Sequence, residues 1–72
     1  MININCPIKQ DFIIELLENS NEEDITFKLI EKHGINMKFS VSTEDLDAAI
    51  ALAKKIIKRT EVGSVLYFQM TK

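Results

Sequence analysis

The stretch from Ile25 to Val41 most constrains what this chain can fold into, because its apolar and polar residues alternate. The first half has apolar side chains at Ile25, Phe27 and Leu29, and the second half has them at Ile35, Met37, Phe39 and Val41. A period of two is typical of β-strands that bury one face. The stretch is therefore predicted to be a β-hairpin.

The turn of this hairpin is constrained by the same alternation. Side chains that lie opposite each other share a face of the sheet, so the apolar sets of the two strands must face each other. A three-residue loop over positions 32–34 satisfies this condition. It places Phe27 opposite Phe39, and Leu29 opposite Met37. The last loop residue, Gly34, is then expected to have a positive φ, which glycine adopts without steric penalty.

A short strand and a helix are predicted before the hairpin. Positions 1–5 alternate between apolar residues and asparagine, which predicts a first strand. Pro7 suits the first turn of a helix, where its missing N–H would have no partner. The apolar stripe of this helix comprises Ile8, Phe12, Ile13, Leu16 and Leu17, and the polar residues 19–21 end it.

A second helix and a last strand are predicted after the hairpin. Ser42 or Thr43 is predicted as the N-cap, and acidic residues follow in the first turn, where the helix dipole favours negative charge. The inner stripe of the helix comprises Leu46, Ala49, Ile50, Ala53, Ile56 and Ile57. Gly63 lies in the turn that follows. Residues 65–70 are predicted to be the final strand, with Leu66, Phe68 and Met70 on one side.

The predicted order of elements is βαββαβ in a single α+β domain that covers residues 1–72. This order resembles the ferredoxin-like split βαβ arrangement, in which two helices cover one face of a four-stranded antiparallel sheet. The resemblance rests on element order and spans the whole chain. If the first strand does not form, the alternative is αββαβ with a three-stranded sheet.

Composition and charge bear on which partners the chain could have. Nine basic and eleven acidic residues give a net charge of −2, and the single Arg leaves little for phosphate recognition, so no nucleic-acid partner is predicted. No basic, apolar leader and no run long enough to span a membrane is present, so we expect a cytoplasmic protein without a membrane partner. The hydrophobic core of a 72-residue chain leaves a stability of only about 3 to 5 kcal/mol, which favours help from oligomerisation.

Cys6 and His33 are the two side chains that could suggest chemistry. Cys6 follows the first strand, where a helix N-terminus could activate its thiol, but a buried thiol is the more common state of a lone cysteine. His33 lies at the hairpin tip, where no second metal ligand accompanies it. No catalytic residue, cofactor or metal is therefore predicted, and the chain is interpreted as non-enzymatic.

The face of the sheet away from the helices carries the main functional hint. In the predicted register Lys28 lies opposite Lys38. This like-charge pair lowers the stability of the sheet by a few tenths of a kcal/mol unless an acidic group lies nearby to compensate the charge. Ile30, Val65 and Tyr67 add apolar area to the same face. Lys28, Ile30, Lys38 and Tyr67 are accordingly predicted as protein-interaction residues.

Three functions follow from these features. The first is a small protein-interaction or regulatory domain, predicted to form a homodimer through its open sheet face or an edge strand. The second is an inhibitor or modulator, encoded by a phage or a bacterium, that meets a basic target protein through its acidic residues Glu15, Glu18, Glu22, Glu23 and Asp24. The third and weakest is a small-ligand sensor or a thiol carrier that uses Cys6.

Overall fold

A computed structural model describes all 72 residues as four strands and two helices. In chain order these are β1 (Ile2–Asn5), α1 (Gln10–Glu18), β2 (Phe27–His33), β3 (Asn36–Val41), α2 (Leu46–Lys58) and β4 (Gln69–Thr71). The strands form one antiparallel sheet in the order β2-β3-β1-β4. The predicted α+β class is confirmed. The first strand forms and lies inside the sheet, so the three-stranded alternative is wrong.

The core lies between the helices and one face of this sheet. Buried residues alternate along the two inner strands, with Ile2 and Ile4 from β1 and Met37 and Phe39 from β3. The helices contribute the rest of the main layer with Ile13, Leu17, Ala49, Leu52, Ala53, Ile56 and Ile57. Because all of these strand residues point to the same side, the opposite face of the sheet is left without a covering layer.

The hairpin differs from its predicted register. Its tip is a two-residue turn of Gly34 and Ile35, with His33 opposite Asn36, and not the predicted three-residue loop. Phe27 pairs with Val41 and Leu29 pairs with Phe39, each two residues away from the predicted partner. The register of the pairing shifts by one residue between Leu29 and Glu31, so Ile30 is an extra residue in β2 with no partner in β3.

This β-bulge at Ile30 reconciles the two-residue turn with the apolar alternation. A bulge puts two residues of one strand against one of its partner, so the side chains beyond it change face. Lys32 therefore lies opposite the buried Met37, and its Nζ is 3.7 Å from the carboxylate of Asp11 in α1. The predicted positive φ of Gly34 is confirmed at 55°. Positive φ at the first of two turn residues is typical of the type II′ turn.

Both helices begin later than predicted. Pro7 lies outside α1, which starts at Gln10 after Lys9 has adopted a left-handed conformation, and Ile8 is exposed instead of joining the apolar stripe. The N-cap of α2 is Asp45, whose carboxylate accepts a hydrogen bond from Ala48 N at 3.1 Å. The two predicted caps have other partners.

Those partners explain why neither predicted residue caps α2. The Ser42 hydroxyl accepts a hydrogen bond from the backbone N–H of Thr26 at 2.9 Å, which joins it to the start of the hairpin. The Thr43 hydroxyl accepts one from the N–H of Asp45 at 3.1 Å. Asp45 is the nearest remaining cap residue before the apolar stripe of α2.

The last strand is shorter than predicted. β4 covers only residues 69–71, and a 3₁₀ turn (Gly63–Val65) occupies the start of the predicted strand. Asn5 pairs with Gln69, and the next residue of β1 whose N–H would point at β4 is Pro7, which has none. The ladder therefore stops there. The predicted alternation is still present, because Leu66 is buried and Phe68 and Met70 pack against the core.

Gly63 allows the chain to turn sharply at the end of α2. A Cβ at this position would lie 1.9 Å from the carbonyl oxygen of Ile57 and 2.6 Å from Oγ1 of Thr60. The same hydroxyl accepts a hydrogen bond from Gly63 N at 2.9 Å and donates one to Ile57 O at 2.7 Å. Only glycine fits this close approach, which sets the direction of the chain as it enters β4.

Candidate interaction surface

The open face of the sheet consists of polar side chains. Its members are Asn3 and Asn5 of β1, Lys28, Glu31 and His33 of β2, Asn36, Lys38 and Ser40 of β3, and Gln69 and Thr71 of β4. Asn36 donates a side-chain hydrogen bond to Asn5 at 2.8 Å. Because all of these side chains are polar, the centre of this face is not an apolar patch.

The predicted pair of opposed lysines does not exist. The bulge at Ile30 places Glu31, not Lys28, opposite Lys38, and Lys28 lies opposite Ser40. The Nζ of Lys38 is 3.9 Å from the Glu31 carboxylate. The Glu31 carboxylate thus compensates the charge of Lys38. The like-charge repulsion that would have favoured a partner protein is absent.

The four predicted interaction residues lie on two sides of the molecule. Lys28 and Ile30 belong to the edge strand β2, and Lys38 belongs to its neighbour β3. Tyr67 precedes β4, at the other edge, three strand spacings or about 14 Å from β2. The exposed fraction is 51% for Ile30 and 66% for Tyr67. The structure brings the first three residues together and separates Tyr67 from them.

The outer edge of β2 is occupied by a side chain of the protein itself. The backbone N–H of Leu29, which points away from β3, donates a hydrogen bond to the Glu18 carboxylate of α1 at 3.0 Å. The bulge at Ile30 follows immediately and interrupts the row of edge groups. Bulges and capped edge groups hinder the addition of a further strand. The β2 edge is therefore protected against pairing with another chain.

The outer edge of β4 has no such protection. Cys6 N donates to Ile35 O of the hairpin at 2.9 Å, so by alternation the backbone groups of Asn5 point toward β4. Its partner Gln69 points back at β1, and the N–H and C=O of Met70 consequently point outward. No side chain donates to or accepts from either group.

Exposed apolar side chains lie next to this open edge. Val65 is 83% exposed, the highest value among the large apolar residues, and Tyr67 follows two residues later. The Tyr67 hydroxyl accepts a hydrogen bond from the Gln69 side chain at 3.0 Å, which places both on the open-face side of β4. Aromatic residues of this kind are enriched in protein interfaces.

The acidic residues of the second predicted function are largely engaged within the chain. Glu18 accepts from Leu29, and Glu23 lies 3.6 Å from Nζ of Lys55. Glu22 holds Arg59 through two hydrogen bonds, one of them 3.0 Å long. These hydrogen bonds are the largest cause that lowers the pKa of Glu22 below its ordinary value, and the positive charge of the guanidinium lowers it further.

Two members of the acidic set, Glu15 and Asp24, have carboxylates with no ion pair or hydrogen bond. Glu15 lies on the rim of a groove of about 460 Å³ at the C-terminal ends of the two helices. Phe12, Leu16 and Ile56 form the apolar part of its lining. The Ser20 hydroxyl in this groove is buried without a hydrogen-bond partner.

Cys6 is fully buried, and its thiol donates a hydrogen bond to the carbonyl oxygen of Ile8 at 3.1 Å. The preference for a buried thiol is confirmed, and a thiol carrier would have to open the loop between β1 and α1. His33 is exposed, with its Nε2 3.3 Å from Glu31. No three His, Cys, Asp or Glu side chains lie close enough together to hold a metal ion.

No family model, curated protein sequence or solved structure matches this chain. Neither helix has the length and apolar character that crossing a bilayer requires.

Two parts of this surface could not be found from sequence patterns. The contact of Glu18 with Leu29 depends on how α1 packs over β2, and the spacing of charges along the chain does not report it. The outward groups of Met70 depend on which strand ends the sheet. Tyr67 could be found, because an apolar residue on the outer side of an alternating strand is visible in the sequence.

Proposed function

We propose that this chain is a ferredoxin-like domain. The βαββαβ order supports this assignment, and so does the sheet order β2-β3-β1-β4, which interleaves the strands of the two βαβ halves and leaves β2 and β4 at the edges. Because unrelated functions share this arrangement, the fold alone assigns no activity.

We further propose that the domain is non-enzymatic and works by protein contact, as a homodimer formed through its sheet. The observation that carries this proposal is the exposed pair Val65 and Tyr67 beside an edge strand with free backbone groups. A small core gives self-association a second benefit, since pairing an edge would add buried area to a domain of marginal stability.

The test is solution mass by size-exclusion chromatography with light scattering, over a wide range of protein concentration. The wild type is expected to form a dimer as concentration rises, and Tyr67→Lys is expected to shift the equilibrium to monomer. Lys28→Glu, at the protected edge, is the control and should leave the dimer intact. A wild-type monomer at every concentration contradicts the proposal.

A second candidate is an inhibitor or modulator that binds a basic protein. The groove supports it, because its apolar part would accept an apolar side chain and the free Glu15 would meet a basic one. Internal pairing of Glu18, Glu22 and Glu23 reduces the charge available to such a target. Binding to a purified target should weaken as salt is added and on Glu15→Lys, because exposed charges are screened. Salt-independent binding would refute this mode.

A further inference from the structure

The extended segment that contains β4, residues 66–72, has the length and exposure of a pairing edge. The preceding 3₁₀ turn ends at Val65, and Leu66 has an extended backbone with φ −77° and ψ 140°. From there the side chains alternate between the core and solvent as far as Thr71. We call residues 66–72 the edge segment.

We propose that the edge segment pairs antiparallel with the same segment of a second copy, about a two-fold axis at Gln69. This inference rests on the proposed homodimer and names its interface. Full overlap of two copies of residues 66–72 places their central residue, Gln69, opposite itself. The outward groups of Met70 then bond to those of Phe68 in the second copy, and Tyr67 lies against its Thr71. The result is a continuous eight-stranded sheet.

A second copy fits better than a different protein because this edge and α2 are self-complementary. α2 lies over the same edge, since Lys72 Nζ is 2.9 Å from the Asp47 carboxylate and Lys58 Nζ is 5.6 Å from the Phe68 ring centre. The helix is acidic at its start, around Asp47, and basic at its end, around Lys54 and Lys58.

A two-fold axis perpendicular to the sheet makes the two α2 helices antiparallel on the same face. The acidic start of each helix then faces the basic end of the other, as the self-complementary interface of a two-fold dimer requires. Pairing of opposite charges across such an interface favours this register over shifted ones.

The structure of the β2 edge disfavours the alternative dimer, in which two copies would pair through β2. Pairing there would have to displace Glu18 from the Leu29 N–H and straighten the bulge at Ile30. Pairing at β4 displaces no hydrogen bond of the edge backbone, because the outward backbone N–H and C=O of Met70 have no partner within the chain. The asymmetry between the edges also limits assembly to two copies, because a dimer joined at β4 has only protected edges left.

The test combines a cross-link with two edge variants. In a Cys6→Ala background, Gln69→Cys should form an interchain disulfide under oxidised glutathione, because residues opposite each other at a non-hydrogen-bonded position have Cα atoms about 4.5 Å apart. Met70→Pro removes an outward N–H and no bond to β1, and Met70→Ala controls for the loss of the Met70 side chain from the core. The dimer of the proline variant should be at least about tenfold weaker than that of the alanine variant, while the circular dichroism spectrum is kept. Ile30→Lys, at the other edge, should have no effect.

The outcomes separate this inference from the proposed function. If the wild type dimerises, Met70→Pro leaves the dimer dissociation constant unchanged and Gln69→Cys forms no disulfide, the β4 interface is overturned. Self-association through another surface then remains. A chain that stays monomeric at every concentration overturns both. A Gln69→Cys cross-link and loss of the dimer in Met70→Pro, with Ile30→Lys unchanged, support the two-fold pairing.

Discussion

Replacing Gly63 with alanine tests the close approach between the end of α2 and the turn that leads into β4. The added Cβ would lie 1.9 Å from Ile57 O and 2.6 Å from Thr60 Oγ1, distances that no folded protein accommodates without movement. Moving the turn away would break the hydrogen bond from Gly63 N to Thr60 and the one from Leu66 N to Gly63 O. The change therefore acts on the path into the edge segment.

The expected cost follows from these contacts. Forcing a methyl group into a filled site costs about 1 to 3 kcal/mol, and each of the two hydrogen bonds contributes about 1 kcal/mol. Because partial relaxation relieves some of each, we expect a loss of about 3 kcal/mol. If the domain begins at about 4 kcal/mol, the unfolded fraction rises from about 0.1% to about 15%.

Urea unfolding followed by circular dichroism measures this cost, at one fixed protein concentration because self-association of the kind proposed would make the apparent stability depend on concentration. Gly34→Ala is the matched control. Its φ of 55° penalises alanine by about 1 to 2 kcal/mol, but nothing lies within 4 Å of the added Cβ. The midpoint of Gly63→Ala should fall below that of Gly34→Ala with little change in slope. A Gly63→Ala midpoint equal to or above that of the control would refute the steric argument.

Three further changes test single contacts. Glu18→Ala should leave the N–H of Leu29 free and promote higher oligomers, seen as growth in light-scattering mass beyond a dimer. Arg59→Gln should raise the pKa of Glu22 toward its ordinary value, as measured by NMR titration. In the wild type this ion pair stabilises the folded state at pH values above the unfolded-state pKa, which is near 4.5. The stabilisation is lost as the pH falls through the lowered pKa of Glu22 in the folded state. Asp45→Ala should cost about 1 kcal/mol in urea, as loss of an N-cap does.

The sequence predicted the elements better than their boundaries. Alternation of apolar residues identifies which side of each strand is buried, and the glycine at the hairpin tip predicts the positive φ of Gly34. The alternation of apolar residues does not reveal an inserted residue such as Ile30, because a bulge and a longer loop satisfy the same alternation. The N-cap was misplaced because Ser42, Thr43 and Asp45 all suit the position, and their competing partners are tertiary.

The interaction surface was less predictable than the fold. Tyr67 is visible as an outward aromatic residue, but its neighbours depend on strand order. Lys28 and Lys38 were predicted to oppose each other, and a single bulge removed that contact. Protection of one edge by Glu18 and exposure of the other at Met70 arise from contacts between elements distant in the chain.

The sheet order also has a consequence for how the chain folds. β2 and β3 are adjacent in sequence and can pair early, whereas β1 pairs Ile2 with Phe39 across the first helix and the hairpin, and β4 has no strand to pair with until β1 is in place. Closing such distant contacts is slow because the intervening chain must be ordered first. We expect substitutions in the hairpin to slow folding, and truncation of Ile4 to speed unfolding instead. β1, the first of the four strands along the sequence, then docks only after the hairpin has formed, and β4 pairs after it.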